Sequence, residues 1–185
     1  IQRRTVNEKR KIEYFFKVFF FLLNSFAYLT VRHFKEKYDI IHVHSIPDFE
    51  VFAALIPKLF GAKIVLDIHD LVPEFYASKF KVSNTSLVFK ILVLIEKLSC
   101  AFADHVIIAN DIWRERVVER SVREDKCTTI LNYPDSFIFY HREVKKKVDK
   151  FLMIYPGTLS WHQGLDIAIK ALHLIRDKVP GAEFH

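Results

Sequence analysis

The sequence predicts an α/β fold built on a parallel sheet. Two short β-rich segments, residues 38–44 and 63–68, flank a helical segment that begins at Pro47 or Asp48 and runs to about residue 60. A strand–helix–strand order with turns of a few residues predicts that the two strands are parallel. Of the 185 residues, 51% are hydrophobic and 27% are charged, a composition that excludes a disordered chain.

The segment before the first strand is predicted to be a helix. A basic stretch at 1–17 precedes an apolar run of 14 residues at 18–31, which is shorter than the roughly 18–20 residues of a transmembrane helix. We favour a helix that packs on the core of the α/β fold. The alternative is a basic, aromatic helix on an anionic membrane surface, and both interpretations hold if the helix has two different faces.

The rest of the first domain repeats the alternation of strands and helices. Gly61 is expected to end the helix that follows the strand at 38–44. Turn-forming residues predict a loop at 69–85. Asn110 is the expected N-cap of a charged amphipathic helix. The further predicted elements are a buried helix at 87–103, a strand at 104–109, the charged helix at 111–120 and a strand at 126–131.

A second domain is expected to begin after a linker. Residues 141–150 carry basic side chains without apolar periodicity, which is typical of a solvated connection. A strand at 151–155, a helix opened by Gly164 and a strand from 182 onward follow. We therefore expect a first domain at 1–140, a linker at 141–150 and a truncated second domain at 151–185. The chain is expected to be a fragment.

Charge and cysteine content restrict the partners and the compartment. The net charge of +6 and the pI of about 9.2 suit anionic partners, such as phosphate-bearing substrates or anionic lipid. The basic residues are dispersed and no nucleic-acid-binding signature occurs, so nucleic acid is not an expected partner. Cys100 and Cys127 lack the spacing of a zinc site or a disulfide framework, which favours a reducing, cytoplasmic location.

A candidate catalytic pair follows the strand at 63–68. Ligands of open parallel sheets bind just beyond the carboxyl ends of the strands, where His69 and Asp70 are expected. The alternative is that Asp70 caps the next turn and His69 is a polar residue with local hydrogen bonds. His42 and His44 share one strand face, and together with His69 and Asp70 they would suit a metal-dependent hydrolase.

Two glycines at the start of the second domain predict an anion site. Gly157 follows a strand, and Gly164 opens a helix whose first N–H groups and dipole would attract a phosphate or diphosphate. Their spacing matches neither the P-loop nor the dinucleotide-binding glycine motif. The position at the start of a second α/β domain favours a ligand site at a domain interface.

Several motifs, in this order, resemble those of the family 4 glycosyltransferases of the GT-B fold. The resemblance extends from about residue 38 to residue 185, and it implies two Rossmann-like domains. The first would bind the acceptor and the second a nucleotide-diphosphate sugar. The motifs are Asp39-Ile-Ile-His-Val-His44, Gly61-Ala-Lys-Ile-Val-Leu-Asp-Ile-His-Asp-Leu-Val-Pro-Glu74, Ile130-Leu-Asn-Tyr-Pro134, Tyr155-Pro-Gly-Thr-Leu159 and Gly164-Leu-Asp-Ile-Ala168.

The resemblance implies a retaining transferase of a family that usually has no essential metal, with no cofactor beyond its UDP- or GDP-sugar substrate. It also implies that this fragment is inactive alone, because the family's donor-holding Glu-x7-Glu motif would lie beyond residue 185. It matches His69 to the family's histidine near the sugar and the acceptor. With the pair after the strand at 63–68, we expect catalysis at His69 and Asp70 and the acceptor side at His44 and Glu74. The implied donor-binding residues are Gly157, Thr158, Gln163 and Gly164. Two of these depart from the family, because Thr158 and Gln163 stand where many members carry Arg and Lys.

The acceptor is expected to be a sugar or a lipid-linked sugar. A basic, aromatic N-terminal region fits a peripheral position at the inner face of the membrane, in surface polysaccharide or glycolipid synthesis. The alternative is a non-catalytic α/β binding module. It would be favoured if the complete gene lacked a donor-binding half.

Overall fold

The computed structural model describes residues 11–45, 47–141, 151–157, 159 and 163–185, with side chains from residue 16 onward. It contains two compact units, the first ending at Asn132 and the second beginning at Tyr133. The predicted linker at 141–150 lies outside the described residues, apart from His141. The predicted domain limits therefore stay predictions.

Helices and parallel strands alternate through the first unit, as predicted. The α-helices are α1 (Lys11–Glu36), α2 (Leu55–Leu59), α3 (Val72–Phe80), α4 (Leu87–Phe102) and α5 (Asp111–Arg120). The strands are β1 (Ile40–Ser45), β2 (Lys63–Ile68), β3 (His105–Ile108) and β4 (Cys127–Thr129), and two 3-10 helices span Asp48–Ala54 and Glu124–Lys126.

The strands form one parallel sheet in the order β1-β2-β3-β4. On one face of β2 and β3 the apolar side chains are fully buried, and α4 packs against β2 while α5 packs against β3 and β4. Burying these branched side chains away from water is the main stabilising contribution of the core. The core strand residues are Ile64, Leu66, Ile68, Val106 and Ile108. Cys100 and Cys127 are buried free thiols.

The helix α1 has both a packed side and an exposed side. It contacts α2 and the first 3-10 helix, and His33 is buried, where its Nδ1 accepts a hydrogen bond from the Tyr38 N–H at 3.2 Å. Packing on the fold is thus confirmed. Among the described residues, no helix is long and apolar enough to cross a membrane. The exposed large apolar side chains include Phe16, Phe19, Phe20, Phe21, Leu23, Tyr28, Val31 and Phe34.

The loop predicted at 69–85 is wrong, because α3 occupies residues 72–80 of it. Proline is tolerated in the first turn of a helix, where no intrahelical partner exists for its missing N–H. Pro73 lies in that turn and is buried, and the Phe75 N–H donates to the Leu71 carbonyl at 2.8 Å. A proline that indicated a turn in the sequence therefore begins a helix.

The second unit contains the elements predicted for it. A two-stranded parallel sheet pairs β5 (Phe151–Met153) with β6 (Ala182–Phe184). The helix α6 (Leu165–Ile175) connects them, and Gly164 precedes it with a φ of 71°, a left-handed conformation that favours glycine. This strand–helix–strand segment begins at residue 151, and residues 133–141 of the same unit are also described.

Candidate functional site

Three imidazoles surround one carboxylate at the carboxyl ends of β1 and β2. We call His42, His44, Asp67 and His69 the histidine–aspartate cluster. Asp67 Oδ2 lies 3.1 Å from His42 Nε2, 3.1 Å from His44 Nδ1 and 3.4 Å from His69 Nε2. The rings of His42 and His44 are stacked with centroids 4.4 Å apart, which confirms that the two share one strand face.

The register of the parallel sheet brings the cluster together. His44 on β1 pairs with Asp67 on β2, and paired residues of neighbouring strands project to the same face. His69 follows Asp67 by two residues, so it continues on that face as the strand ends. The ligand position expected beyond the strand ends is therefore occupied by side chains from two adjacent strands.

The cluster is buried at its carboxylate and open at its imidazoles. The Asp67 side chain is 12% exposed, whereas those of His44 and His69 are 62% and 37% exposed. A carboxylate that accepts N–H groups is compensated for its loss of water. The imidazole nitrogens remain in reach of a ligand from solvent.

A second element holds His69 from the other side. Asn132, three residues after β4, places its Nδ2 at 3.4 Å from His69 Nδ1, while His69 Nε2 lies 3.2 Å from His44 Nδ1. Both ring nitrogens of His69 thus have polar neighbours within the first unit. Among the described residues the Asp70 side chain has no hydrogen bond or ion pair, whereas Asp67 is the carboxylate that lies beside His69, at 3.4 Å from its Nε2.

Glu74, predicted on the acceptor side, is engaged in an ion-pair network. Arg120 binds it through two contacts of 2.6 and 2.9 Å and binds the buried Glu96 through two contacts of 2.8 and 2.7 Å. Burial opposes the charge of Arg120, but these carboxylates raise the pKa of its guanidinium above the ordinary value. The network connects α3, α4 and α5. Glu74 therefore helps to hold these helices together, and its predicted contact with an acceptor stays a separate prediction.

A buried carboxyl group fixes the turn after β1. Ser45 Oγ donates to Asp48 Oδ1 at 2.5 Å, and Asp48 is only 3% exposed. Burial raises the pKa of Asp48 to about 6 although the hydrogen bond from Ser45 lowers it. Burial likewise raises the pKa of the half-buried Glu50 to about 7.

Asp48 is expected to make the chain less stable as the pH rises from about 4 to about 7. Its pKa is higher in the folded state than the ordinary 3.8, so the folded state binds more protons in this window, and the stabilisation present at low pH is lost above pH 6. A shift of two units corresponds to about 3 kcal/mol. Urea unfolding of the wild type and Asp48→Asn at pH 4 and pH 7 measures it, and an equal pH dependence of the two would contradict it.

The predicted donor residues are only partly described. Gly157 lies in the turn after β5, where a Cβ atom would come within 2.7 Å of the Tyr155 ring. Gln163 is exposed directly before Gly164, which begins α6. Thr158 lies outside the described residues. The four donor assignments stay predictions, as do those of His69, Asp70, His44 and Glu74.

Asp67 and Asn132 are the site residues that the sequence interpretation did not single out. Asp67 was included in a buried strand, although it is the one carboxylate in a run of apolar residues from Ile64 to Ile68. Asp67 lies two residues before His69, and side-chain alternation in a strand could have indicated that the two share one face. The position of Asn132 beside His69 depends on sheet order, which no local pattern reveals.

Comparison with known proteins identifies the family. The model of a glycosyl transferase 4-like domain matches residues 18–132, a segment that includes the whole histidine–aspartate cluster. A comparison with curated protein sequences gave no match. Among solved structures, sucrose-phosphate synthase from Thermosynechococcus elongatus is similar with a TM-score of 0.67 and 17% sequence identity.

That similarity covers 99% of this chain and 44% of the synthase chain, so this chain spans less than half the length of that protein. At this identity the likeness shows the fold, and it confirms the predicted GT-B type α/β architecture. The family model covers more than half of the chain, which confirms the resemblance found in the motifs. The chain therefore belongs to the glycosyl transferase 4-like domain family.

Proposed function

We propose that the chain is part of a retaining glycosyltransferase that moves a sugar from a UDP- or GDP-sugar to an acceptor. The observation that carries this proposal is the position of His69. It lies beyond the carboxyl end of β2, within the segment that matches the family, and it is held by His44, Asp67 and Asn132.

His69 is proposed to orient the acceptor hydroxyl. A group that donates or accepts a hydrogen bond at the reacting oxygen must be held in a fixed orientation. The carboxylate of Asp67, 3.4 Å from His69 Nε2, would help to fix the orientation of the imidazole ring. His44, on the exposed side of the cluster, is proposed to contact the acceptor sugar.

The second unit is proposed to contribute to the donor side. Glycosyl transfer needs stabilisation of the negative charge that develops on the leaving diphosphate. The N-terminus of α6 has a positive dipole end and backbone N–H groups without helical partners, although that of Ile167 donates to the Gly164 carbonyl at 3.0 Å. Gly157 and Gly164 precede the helix in the sequence. Gln163 offers an uncharged amide where relatives carry a cation, so binding would rest more on backbone donors.

The test is transfer by the full-length protein. Radiolabelled UDP- and GDP-sugars are incubated with sugar and lipid-linked acceptors, and product is measured by chromatography. Formation of an α-linked product from an α-linked donor supports a retaining transferase. Hydrolysis or no reaction with the whole panel would reject the proposal.

The acceptor is proposed to be lipid-linked, with α1 as the contact to the membrane. The exposed side of α1 is apolar and aromatic, with Phe20 57% and Tyr28 60% exposed. Basic residues precede it in the sequence, and such a helix suits the interface of an anionic bilayer. The proposed location is therefore the cytoplasmic face of the membrane.

Binding to anionic vesicles is expected to depend on α1. Phe20→Glu should reduce cosedimentation with phosphatidylglycerol vesicles by about tenfold, because it removes apolar area and adds a repelled charge. Phe137→Glu, at an exposed side chain of the second unit, is the matched control and should bind as the wild type does. Equal loss in both variants, or binding unaffected by either, would contradict the role of α1.

A further inference from the structure

We propose that His44, Asp67 and His69 form a binding site for a divalent transition-metal ion of the Zn²⁺ class. The three side chains present two imidazole nitrogens and one carboxylate oxygen at one edge of the sheet. This site goes beyond glycosyl transfer, which by itself requires no metal at His69.

The distances between the three ligand atoms match a tetrahedral ion. His44 Nδ1, Asp67 Oδ2 and His69 Nε2 form a triangle with edges of 3.1, 3.2 and 3.4 Å. Zinc binds nitrogen and oxygen at about 2.0–2.2 Å, and a tetrahedron of such bonds has edges of about 3.3–3.6 Å. The donors are therefore within a few tenths of an ångström of the separation that such an ion requires.

Hydrogen bonds alone leave one edge of this triangle without an interaction. A neutral imidazole carries one N–H, and an ionised carboxylate only accepts. If His44 Nδ1 and His69 Nε2 each donate their hydrogen to Asp67 Oδ2, neither can accept from the other, and no hydrogen bond joins these two nitrogens across their 3.2 Å. A cation inside the triangle attracts the lone pairs of all three atoms at once.

Partners of the three ligands support their orientation. His42 Nε2 lies 3.1 Å from the same Asp67 oxygen, and ligand atoms of His42, His44 and Asp67 all lie within 4.8 Å of one another. Metal-bound histidines donate their other N–H to an outer partner. Asn132 Nδ2 lies 3.4 Å from His69 Nδ1; with a metal on Nε2, rotation of this amide by 180° would bring its oxygen to Nδ1 as the acceptor of that N–H.

The chemistry of the donors selects the ion. Two imidazoles and one carboxylate suit a transition-metal ion such as zinc, iron(II), cobalt or nickel, whereas magnesium and calcium prefer sites made of oxygen ligands. Three protein ligands leave a fourth position open to water, and the exposure of His44 and His69 gives access to it. If the proposed function is correct, an ion on His69 Nε2 would occupy the atom that orients the acceptor and would inhibit transfer.

Binding of Co²⁺ and Zn²⁺ to the metal-free chain tests the site. We expect one equivalent of Co²⁺ to produce the intense visible bands of tetrahedral cobalt, and Zn²⁺ to displace it. His44→Gln, Asp67→Asn and His69→Gln should each weaken Zn²⁺ binding by about 100-fold, since even loss of an outer partner costs about 10–100-fold. The affinity is measured by competition with a chromophoric chelator.

Two matched variants serve as controls. Asp70→Asn changes the neighbouring carboxylate, and His105→Gln changes a histidine at the amino end of β3 whose Nε2 contacts Thr128. Both should bind zinc as the wild type does. Absence of binding by the wild type, or equal loss in Asp70→Asn, would overturn the site. Because His44 is exposed, its variant tests the site even if Asp67→Asn fails to fold, and binding is read without any transfer assay.

Discussion

His69→Ala in the full-length protein is expected to reduce the rate of sugar transfer by about 100-fold or more. A positioned acid–base group contributes about 10²–10⁴-fold, and alanine also removes the orientation of the acceptor oxygen. The loss should fall on kcat rather than on the KM of the donor, because His69 lies in the unit that we propose binds the acceptor. Initial rates with a saturating nucleotide-sugar, measured in the presence of a chelator, separate this effect from metal binding.

His105→Ala is the control for that experiment. It removes a histidine from the same sheet, at the amino end of β3, where His105 Nε2 contacts Thr128 Oγ1 at 2.9 Å. Transfer should continue at close to the wild-type rate. Activity of His69→Ala within a factor of about three of the wild type would remove His69 from the mechanism.

Arg120→Ala is expected to destabilise the chain by about 3–5 kcal/mol. Arg120 neutralises Glu96, whose side chain is 1% exposed, and it also binds Glu74. Removal of the guanidinium leaves a buried carboxylate without its charge partner, and such changes are strongly destabilising. The free energy of unfolding in urea, followed by circular dichroism at neutral pH, measures the effect.

The control is the replacement of Arg123, an arginine whose ion pair is equally short but exposed. Arg123 and Asp125 approach to 2.7 Å, yet their side chains are 82% and 66% exposed. Exposed pairs contribute at most about 1 kcal/mol, so Arg123→Ala should change the stability little. Comparable losses in Arg120→Ala and Arg123→Ala would show that burial of Glu96 does not govern the effect.

Local patterns were sufficient for most elements of the fold. Short β-rich or apolar runs located β1 and β2, a long apolar segment located α4, and helical spacing located α6. The N-cap at Asn110 was correct, because its Oδ1 accepts from the Trp113 N–H at 2.9 Å. The failure at α3 arose because Pro73 has two uses, in turns and in first helical turns. Only its tertiary burial distinguishes them.

The candidate site was half predictable. The sequence placed His42 and His44 on one face and His69 at a strand end, since side-chain alternation and strand length are local properties. It placed the carboxylate at Asp70, whereas the structure places Asp67 among the three imidazoles. The register between β1 and β2 decides this, and register is set by packing between segments far apart in the chain.

The amino-acid pattern is enough to establish a parallel α/β chain of the glycosyl transferase 4-like family with His69 after a strand, because periodicity and motifs are read residue by residue. The partners of that histidine required the folded chain. Asn132 reaches His69 from 63 residues away, and Arg120 gathers Glu74 and Glu96 from two other helices. Such contacts depend on which strands pair and which helix faces meet, and these are decided by the burial of the whole core.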